Sequence, residues 1–240
     1  MLAGLTNRFF SRQNVQLSWL SIIILGLLPW GLVSFGLYIL KNYRWTLALY
    51  EICGCLLPVI VLQGFSPLKT FMGPAFHKRL ALWSIFCGNL LLLSVWPLVS
   101  PVIIRWKSFL PTLQLIHLNT LPSQIVFAAC LIFANPILEE QFWRGLLYQQ
   151  MKQKSNPYTA NIFSSILFGA WHWVILQALF EPFAALGVSM IIMVVGIILA
   201  FIYEKTGRLL EPIVIHSLAG DLPAMILFFS ALKKAAALTA

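Results

Sequence analysis

The sequence predicts an all-α, polytopic transmembrane helical bundle of about seven spans. Of the 240 residues, 60% are hydrophobic and only 10% are charged, whereas roughly a quarter of the residues of a soluble domain are charged. Several apolar runs reach about 20 residues, which lets a helix cross a hydrocarbon layer of roughly 30 Å. A membrane β-barrel is disfavoured, because its strands alternate polar and apolar residues in segments of about 10.

Short polar or basic connections separate the apolar runs, and we treat residues 1–240 as a single membrane-embedded domain. The seven predicted spans are 17–40, 45–65, 79–104, 121–150, 158–180, 183–204 and 209–230.

The net charge of +9 comes from Lys and Arg residues that are scattered between the apolar runs. This pattern indicates loop charges that orient spans and contact lipid headgroups, and it does not indicate a nucleic-acid partner. If the N-terminus lies on the inner side of the membrane, nine basic residues fall on the inner side and six on the outer side. This excess favours that orientation. The nine are Arg8, Arg12, Lys69, Lys78, Arg79, Lys152, Lys154, Lys205 and Arg208.

Three charged residues lie inside the fourth apolar run, in the stretch ANPILEEQFWRGLLYQQ. Glu139 and Glu140 are adjacent, and Arg144 follows Glu140 by four residues. A charge in the hydrocarbon layer costs about 2.5–3.5 kcal/mol or more, so it needs a partner and marks a functional site. Glu140 and Arg144 can form an ion pair along one helix, and Glu139 points elsewhere. Most other acidic residues fall near span ends, where we expect structural roles.

Two histidines occur at related depths in the following spans. Glu139 precedes Lys152 by 13 residues, and His172 follows Tyr158 by 14 residues. At 1.5 Å per residue both lie roughly 20 Å from the intervening loop, so antiparallel packing would bring them together. His216 lies on the same side of the bundle, and Phe168 can pack beside His172 one helical turn away.

The ordered pattern E-E-x-x-x-R, F-x-x-x-H and a late histidine resembles the CPBP intramembrane protease family, which includes CAAX prenyl endopeptidases and bacterial Abi proteins. The motifs lie within residues 121–230, which we predict to be the catalytic core. The resemblance implies that Glu139 and His172 position and deprotonate a water, with Glu140 beside them. It implies that His216 stabilises the oxyanion, and that Arg144 and Phe168 support the site.

The chain departs from the family at its last motif, which is usually H-x-x-x-N. Gly220 stands where the asparagine is expected, and Asp221 follows it. Three substitutes for the missing donor stay open: Asp221, either protonated or orienting His216; a backbone amide; or a water.

Rival chemistries can be tested on the same sequence. No H-E-x-x-H zinc motif is present. His172, His216 and Glu139 could still hold Zn²⁺ as a His₂Glu set, but we prefer a mechanism without a metal or other cofactor. A single aspartate excludes a two-aspartate protease, and the serine motif G-x-S-x-G is absent.

We therefore expect a multi-pass endopeptidase of a bacterial plasma or internal membrane. Its partners would be the lipid bilayer and a peptide or membrane-protein substrate. Two alternatives stay open: a non-catalytic scaffold or immunity protein that binds a peptide or protein, and a transporter whose carboxylates and histidines relay protons.

Overall fold

The fold is a bundle of long helices. The computed structural model describes residues 16–63 and 77–239, and these ranges contain seven helices long and apolar enough to cross a membrane. The predicted all-α bundle is confirmed, and the protein is an integral, multi-pass membrane protein. Arg8, Arg12 and Lys69, which contribute to the predicted orientation, lie outside the described residues.

The helices follow the predicted order, with one addition. They are α1 (Trp19–Ile39), α2 (Tyr43–Gln63), α3 (Lys78–Ile103), α4 (Trp106–Leu115), α5 (Leu121–Lys152), α6 (Pro157–Leu179), α7 (Pro182–Thr206) and α8 (Leu210–Thr239).

Two differences from the prediction have local causes. The segment of α4 was expected to be part of a connection, which is wrong: the helix buries Phe109 and Leu113 in an apolar cluster. The last helix runs beyond the predicted end at 230 to Thr239, because Ala, Leu and Lys dominate this segment and are strong helix formers.

Polar residues define several helix ends. Asn42 caps α2, Thr120 and Ser123 form a capping box at the start of α5, and Asn156 caps α6. Their side chains accept hydrogen bonds from backbone N–H groups that lack a partner within the helix. The end of α7 is closed by Gly207 with φ of 69°, a left-handed conformation that glycine adopts without steric cost.

Wide π-helical turns interrupt four of the eight described helices. These turns insert an extra residue, change which faces neighbouring residues present, and recur at functional sites. They are Phe35–Ile39 in α1, Leu49–Leu56 in α2, Cys130–Ala134 and Gln141–Tyr148 in α5, and His216–Asp221 in α8.

The α6–α7 hairpin packs closely and forms one wall of the bundle centre. A Cβ atom at Gly169 would lie 2.9 Å from the carbonyl oxygen of Ser189, so only glycine fits without movement. The Ser189 hydroxyl donates a hydrogen bond to the carbonyl of Gly169. Farther along, Asn161 Nδ2 donates to the carbonyl of Ile197 at 3.1 Å. These polar links fix the two apolar helices in one register.

Candidate functional site

Glu140 is the centre of a buried charged network. Its Oε1 accepts from Arg144 Nη1 at 2.9 Å and lies 2.8 Å from His216 Nδ1. The predicted ion pair between Glu140 and Arg144 is therefore present, and both side chains are fully or nearly fully buried. Charge-assisted bonds of this kind hold an imidazole in one orientation. Glu140 thus fixes the ring of His216, which α8 supplies.

Arg144 is held by three different helices. Besides its bond to Glu140 on α5, its Nη2 donates to the carbonyl of Gly196 on α7 at 3.1 Å. Its guanidinium also lies 4.4 Å from the centre of the Phe168 ring on α6. Cation–π contacts gain strength when they are removed from water. Arg144 therefore joins α5, α6 and α7 around the glutamate pair.

The side chain of Glu139 is completely buried and, like that of Glu140, lies beside His216. The hydroxyl of Tyr50 on α2 donates to Glu139 Oε1. Tyr50 in turn accepts from Trp143 Nε1 at 3.5 Å. The other carboxylate oxygen, Oε2, lies 3.6 Å from His216 Nε2. One oxygen of Glu139 is thus anchored, and the other faces the imidazole.

His172 lies in the next layer and is not bonded to Glu139 within the described residues. Its Nδ1 is 2.7 Å from the carbonyl of Phe168, one turn earlier in α6. A carbonyl can only accept, so Nδ1 carries a hydrogen, and in the neutral ring Nε2 carries the lone pair. The Phe168 ring contacts both imidazoles, with ring centres 4.8 Å from His172 and 6.0 Å from His216. The similar depths of Glu139 and His172 predicted a direct contact between them. In the structure, Glu139 lies beside His216 instead.

Two residues lie against His216. They are Gly220, which stands where the family has asparagine, and Asp221, which follows it. The Nε2 atom of His216 is 3.8 Å from Asp221 Oδ1, and a Cβ atom at Gly220 would lie 3.5 Å from His216 Cδ2. The cause is the π-helical turn from His216 to Asp221, in which the residues four and five positions after the histidine both flank its ring. Asp221 therefore reaches the site one residue later than the family spacing predicts.

The sequence-based interpretation missed three polar residues of the site, which are Tyr50, Glu51 and Asn135. Glu51 was expected to be structural, yet it is buried in the middle of α2. Asn135 on α5 lies between carboxyl groups, with one end of its side-chain amide 3.3 Å from Asp221 Oδ2. Its other end lies 2.7 Å from Glu51 Oε1 and 3.2 Å from Glu139 Oε1. A single acid inside the second apolar run was the available signal for Glu51.

Three carboxyl oxygens of this cluster are buried without a hydrogen-bond partner among the described residues: Oε2 of Glu51, Glu139 and Glu140. Buried polar atoms are nearly always satisfied, and exceptions indicate water or a catalytic role. Within residues 16–63 and 77–239, no group of three His, Cys, Asp or Glu side chains could hold a metal ion. The His₂Glu set considered from the sequence is thus not assembled as a ligand set.

The match to a family model covers the part of the chain that carries most of this site. Residues 121–220 match the family model described as Type II CAAX prenyl endopeptidase Rce1-like. The chain is also 28% identical over 110 residues to the Bacillus subtilis (strain 168) protein named "Putative membrane peptidase YdiL". This match covers 46% of the chain but only 37% of that relative, and no solved structure matches the chain. The matched segment carries Glu139, His172 and His216, and both similarities support the resemblance to the CPBP family that the motifs indicate.

Proposed function

We propose that the protein is an intramembrane endopeptidase that hydrolyses a peptide bond with a water activated by Glu139. The observation that carries the proposal is the Oε2 atom of Glu139, which is buried, has no hydrogen-bond partner among the described residues and lies 3.6 Å from His216 Nε2. A water beside this pair can approach both atoms at about 2.8 Å. The family match and the named membrane peptidase support a membrane protease.

In the proposed reaction, Glu139 Oε2 accepts a proton as the water oxygen attacks the carbonyl carbon of the peptide bond. The carbonyl oxygen becomes an oxyanion and accepts a hydrogen bond from His216 Nε2–H. The carbon–nitrogen bond then breaks, and the proton on Glu139 passes to the leaving amine. Such a carboxylate acts as general base and then as general acid, typically with a contribution of about 10²–10⁴-fold to the rate.

The surrounding residues have distinct positioning roles in this proposal. Glu140 holds the Nδ1 side of His216 at 2.8 Å, so that Nε2 faces the reacting oxygen. Tyr50 anchors Glu139 Oε1 and leaves Oε2 for the water. His172 presents the lone pair of Nε2 and orients the water or the substrate from the far side of Phe168. These groups are assembled before substrate binds, which is the source of electrostatic stabilisation in a dry site.

A cleavage assay with purified protein in liposomes tests the proposal directly. A library of fluorogenic peptides, including membrane-spanning ones, is offered to the wild type and to Glu139→Gln, His172→Ala and Glu204→Gln. The last variant is a matched control, because Glu204 is a carboxylate paired with Lys152 outside the site. We expect at least a 100-fold loss of cleavage for Glu139→Gln, a strong loss for His172→Ala and no loss for Glu204→Gln.

Tyr50→Phe provides a finer test of the same mechanism. It removes the hydroxyl that anchors Glu139 but keeps the ring against Trp171, whose centre lies 4.3 Å away. We expect kcat to fall while the protein stays folded, since one hydrogen bond to a charged group contributes only about 1.5–3 kcal/mol to stability. An unchanged kcat would contradict the anchoring role.

Three outcomes would redirect or overturn the proposal. Binding of a peptide or protein without any cleavage would support the non-catalytic scaffold. Loss of cleavage on adding a chelator, with recovery on adding Zn²⁺, would contradict the metal-free mechanism. Equal activity of wild type and Glu139→Gln would remove the proposed base altogether.

A further inference from the structure

The amide of Asn135 is surrounded by three carboxyl groups from three helices. One end of the amide lies 3.3 Å from Asp221 Oδ2 on α8. The other end lies 2.7 Å from Glu51 Oε1 on α2 and 3.2 Å from Glu139 Oε1 on α5 itself. An amide has one end with two N–H donors and one end that only accepts. Its orientation therefore constrains where hydrogens lie on the carboxyl groups.

The hydrogen bonds around Glu139 fix this orientation. Tyr50 accepts from Trp143 Nε1 at 3.5 Å, and its hydroxyl donates to Glu139 Oε1. Glu139 Oε1 is thus an accepting oxygen, and it favours the amide NH₂ group nearby. The NH₂ group has two hydrogens and faces two oxygens, those of Glu51 and Glu139. Each hydrogen then has an acceptor, and the amide oxygen faces Asp221.

This orientation leaves the amide oxygen of Asn135 opposite Asp221 Oδ2. Two oxygens can form a hydrogen bond only if one of them carries a hydrogen, and an amide oxygen does not. We infer that Asp221 is a neutral carboxylic acid, hydrogen-bonded through Oδ2–H to Asn135, and that in this form it takes the place of the side-chain amide absent at Gly220. The functional half of this inference rests on the proposed peptidase activity.

A neutral carboxylic acid resembles an asparagine side chain in shape and in hydrogen bonding. Both are planar and carry one donating and one accepting end. Carboxylic acids kept neutral by their surroundings are known to donate hydrogen bonds to oxyanions. Asp221 lies beside His216 Nε2, with Oδ1 at 3.8 Å, where an ionised carboxylate would repel a developing oxyanion. The neutral form removes this repulsion.

Glu51 and Asn135 are the positioning residues of this arrangement. Glu51 is buried, and its Oε1 accepts from the amide that orients Asp221. Neither residue belongs to the motifs that identify the family, and both reach the site from positions next to π-helical turns or within them. Their common effect is to hold one hydrogen on Asp221 and to keep the Oε2 atom of Glu139 available.

Infrared spectroscopy of the purified protein in liposomes tests the protonation directly, because the carbonyl stretch of a carboxylic acid is separate from carboxylate and amide bands. We compare the wild type with Asp221→Asn, Glu51→Gln and the control Glu204→Gln. We expect the acid band of the wild type to lose intensity in Asp221→Asn only. An unchanged band in Asp221→Asn, or a loss in Glu51→Gln instead, would overturn the inference.

The cleavage assay tests the functional half. We expect Asp221→Ala to lose roughly 100-fold in cleavage, as for removal of an oxyanion donor, and Asp221→Asn to lose much less, because asparagine reproduces the neutral acid. Equal losses in both variants would show that the negative charge is required and would overturn the inference. If the wild type cleaves no peptide, the proposed function fails, and the infrared comparison alone still decides the state of Asp221.

Discussion

Replacing Arg144 with methionine should destabilise the bundle strongly, and the loss should depend on the charge of Glu140. Methionine keeps the length of the aliphatic part of arginine. The substitution removes the partner of Glu140 at 2.9 Å and the donor to the Gly196 carbonyl at 3.1 Å. Breaking a buried ion pair by removing one partner costs about 3–5 kcal/mol, because the remaining charge is buried without compensation. His216 still contacts Glu140, so we expect the lower part of this range, about 3 kcal/mol.

The double variant Arg144→Met/Glu140→Gln should recover part of this loss. Removing both charges eliminates the uncompensated carboxylate, and the cost that remains is the lost hydrogen bond from the charged Arg144 to the Gly196 carbonyl, about 1.5–3 kcal/mol. The two substitutions should therefore be non-additive, with a coupling free energy of about 2 kcal/mol. The free energy of unfolding is measured by titration with a denaturing detergent in mixed micelles.

A surface ion pair provides the control for this cycle. Lys152 and Glu204 are 2.6 Å apart, but about a third of each side chain is exposed. Exposed pairs contribute only about 0–1 kcal/mol, so Lys152→Met should change the free energy of unfolding by no more than that. Additive effects of Arg144→Met and Glu140→Gln, or equal costs for Arg144→Met and Lys152→Met, would refute the reasoning.

Two glycine positions give further predictions. Gly220→Asn restores the family residue, and its Cβ atom would lie 3.5 Å from the ring of His216, an ordinary contact. We therefore expect an unchanged melting temperature and little change in peptide cleavage, because Asp221 already supplies the donor, and a large increase in cleavage would contradict that role of Asp221. Gly169→Ala should cost about 1–3 kcal/mol through overpacking of α6 against α7, measured by detergent-induced unfolding. Gly187→Ala is the matched control, because nothing lies within 4 Å of its added Cβ atom, and equal effects of both substitutions would contradict the packing argument.

The sequence predicts the spans well, because hydropathy and helix-end signals are local properties. It also predicts the ion pair of Glu140 with Arg144, since residues four apart on a helix are neighbours whatever the tertiary structure. The amphipathic α4 escaped prediction, because ten residues with several polar side chains resemble a connection. Its burial depends on packing against other helices, which the pattern of this segment does not show.

The partners of Glu139 could not be predicted in the same way. Depth arguments place groups at similar heights in the membrane, but they do not fix the rotation of each helix about its axis. Tyr50 and Glu51 face the site because a π-helical turn widens α2 around them. A regular α-helix assumed from the sequence would present these residues differently. The choice of His216 over His172 as the neighbour of Glu139 is likewise a matter of helix rotation.

The wide turn from His216 to Asp221 also affects how relatives of this protein can be recognised. Because two successive residues flank the same imidazole, a substitution by glycine at one of them leaves the other able to supply the lost group. A search pattern that fixes the spacing at four residues would discard such a chain as defective. Allowing a one-residue insertion after the histidine would retain it, and would separate truly degenerate sequences from those whose donor has moved by one position.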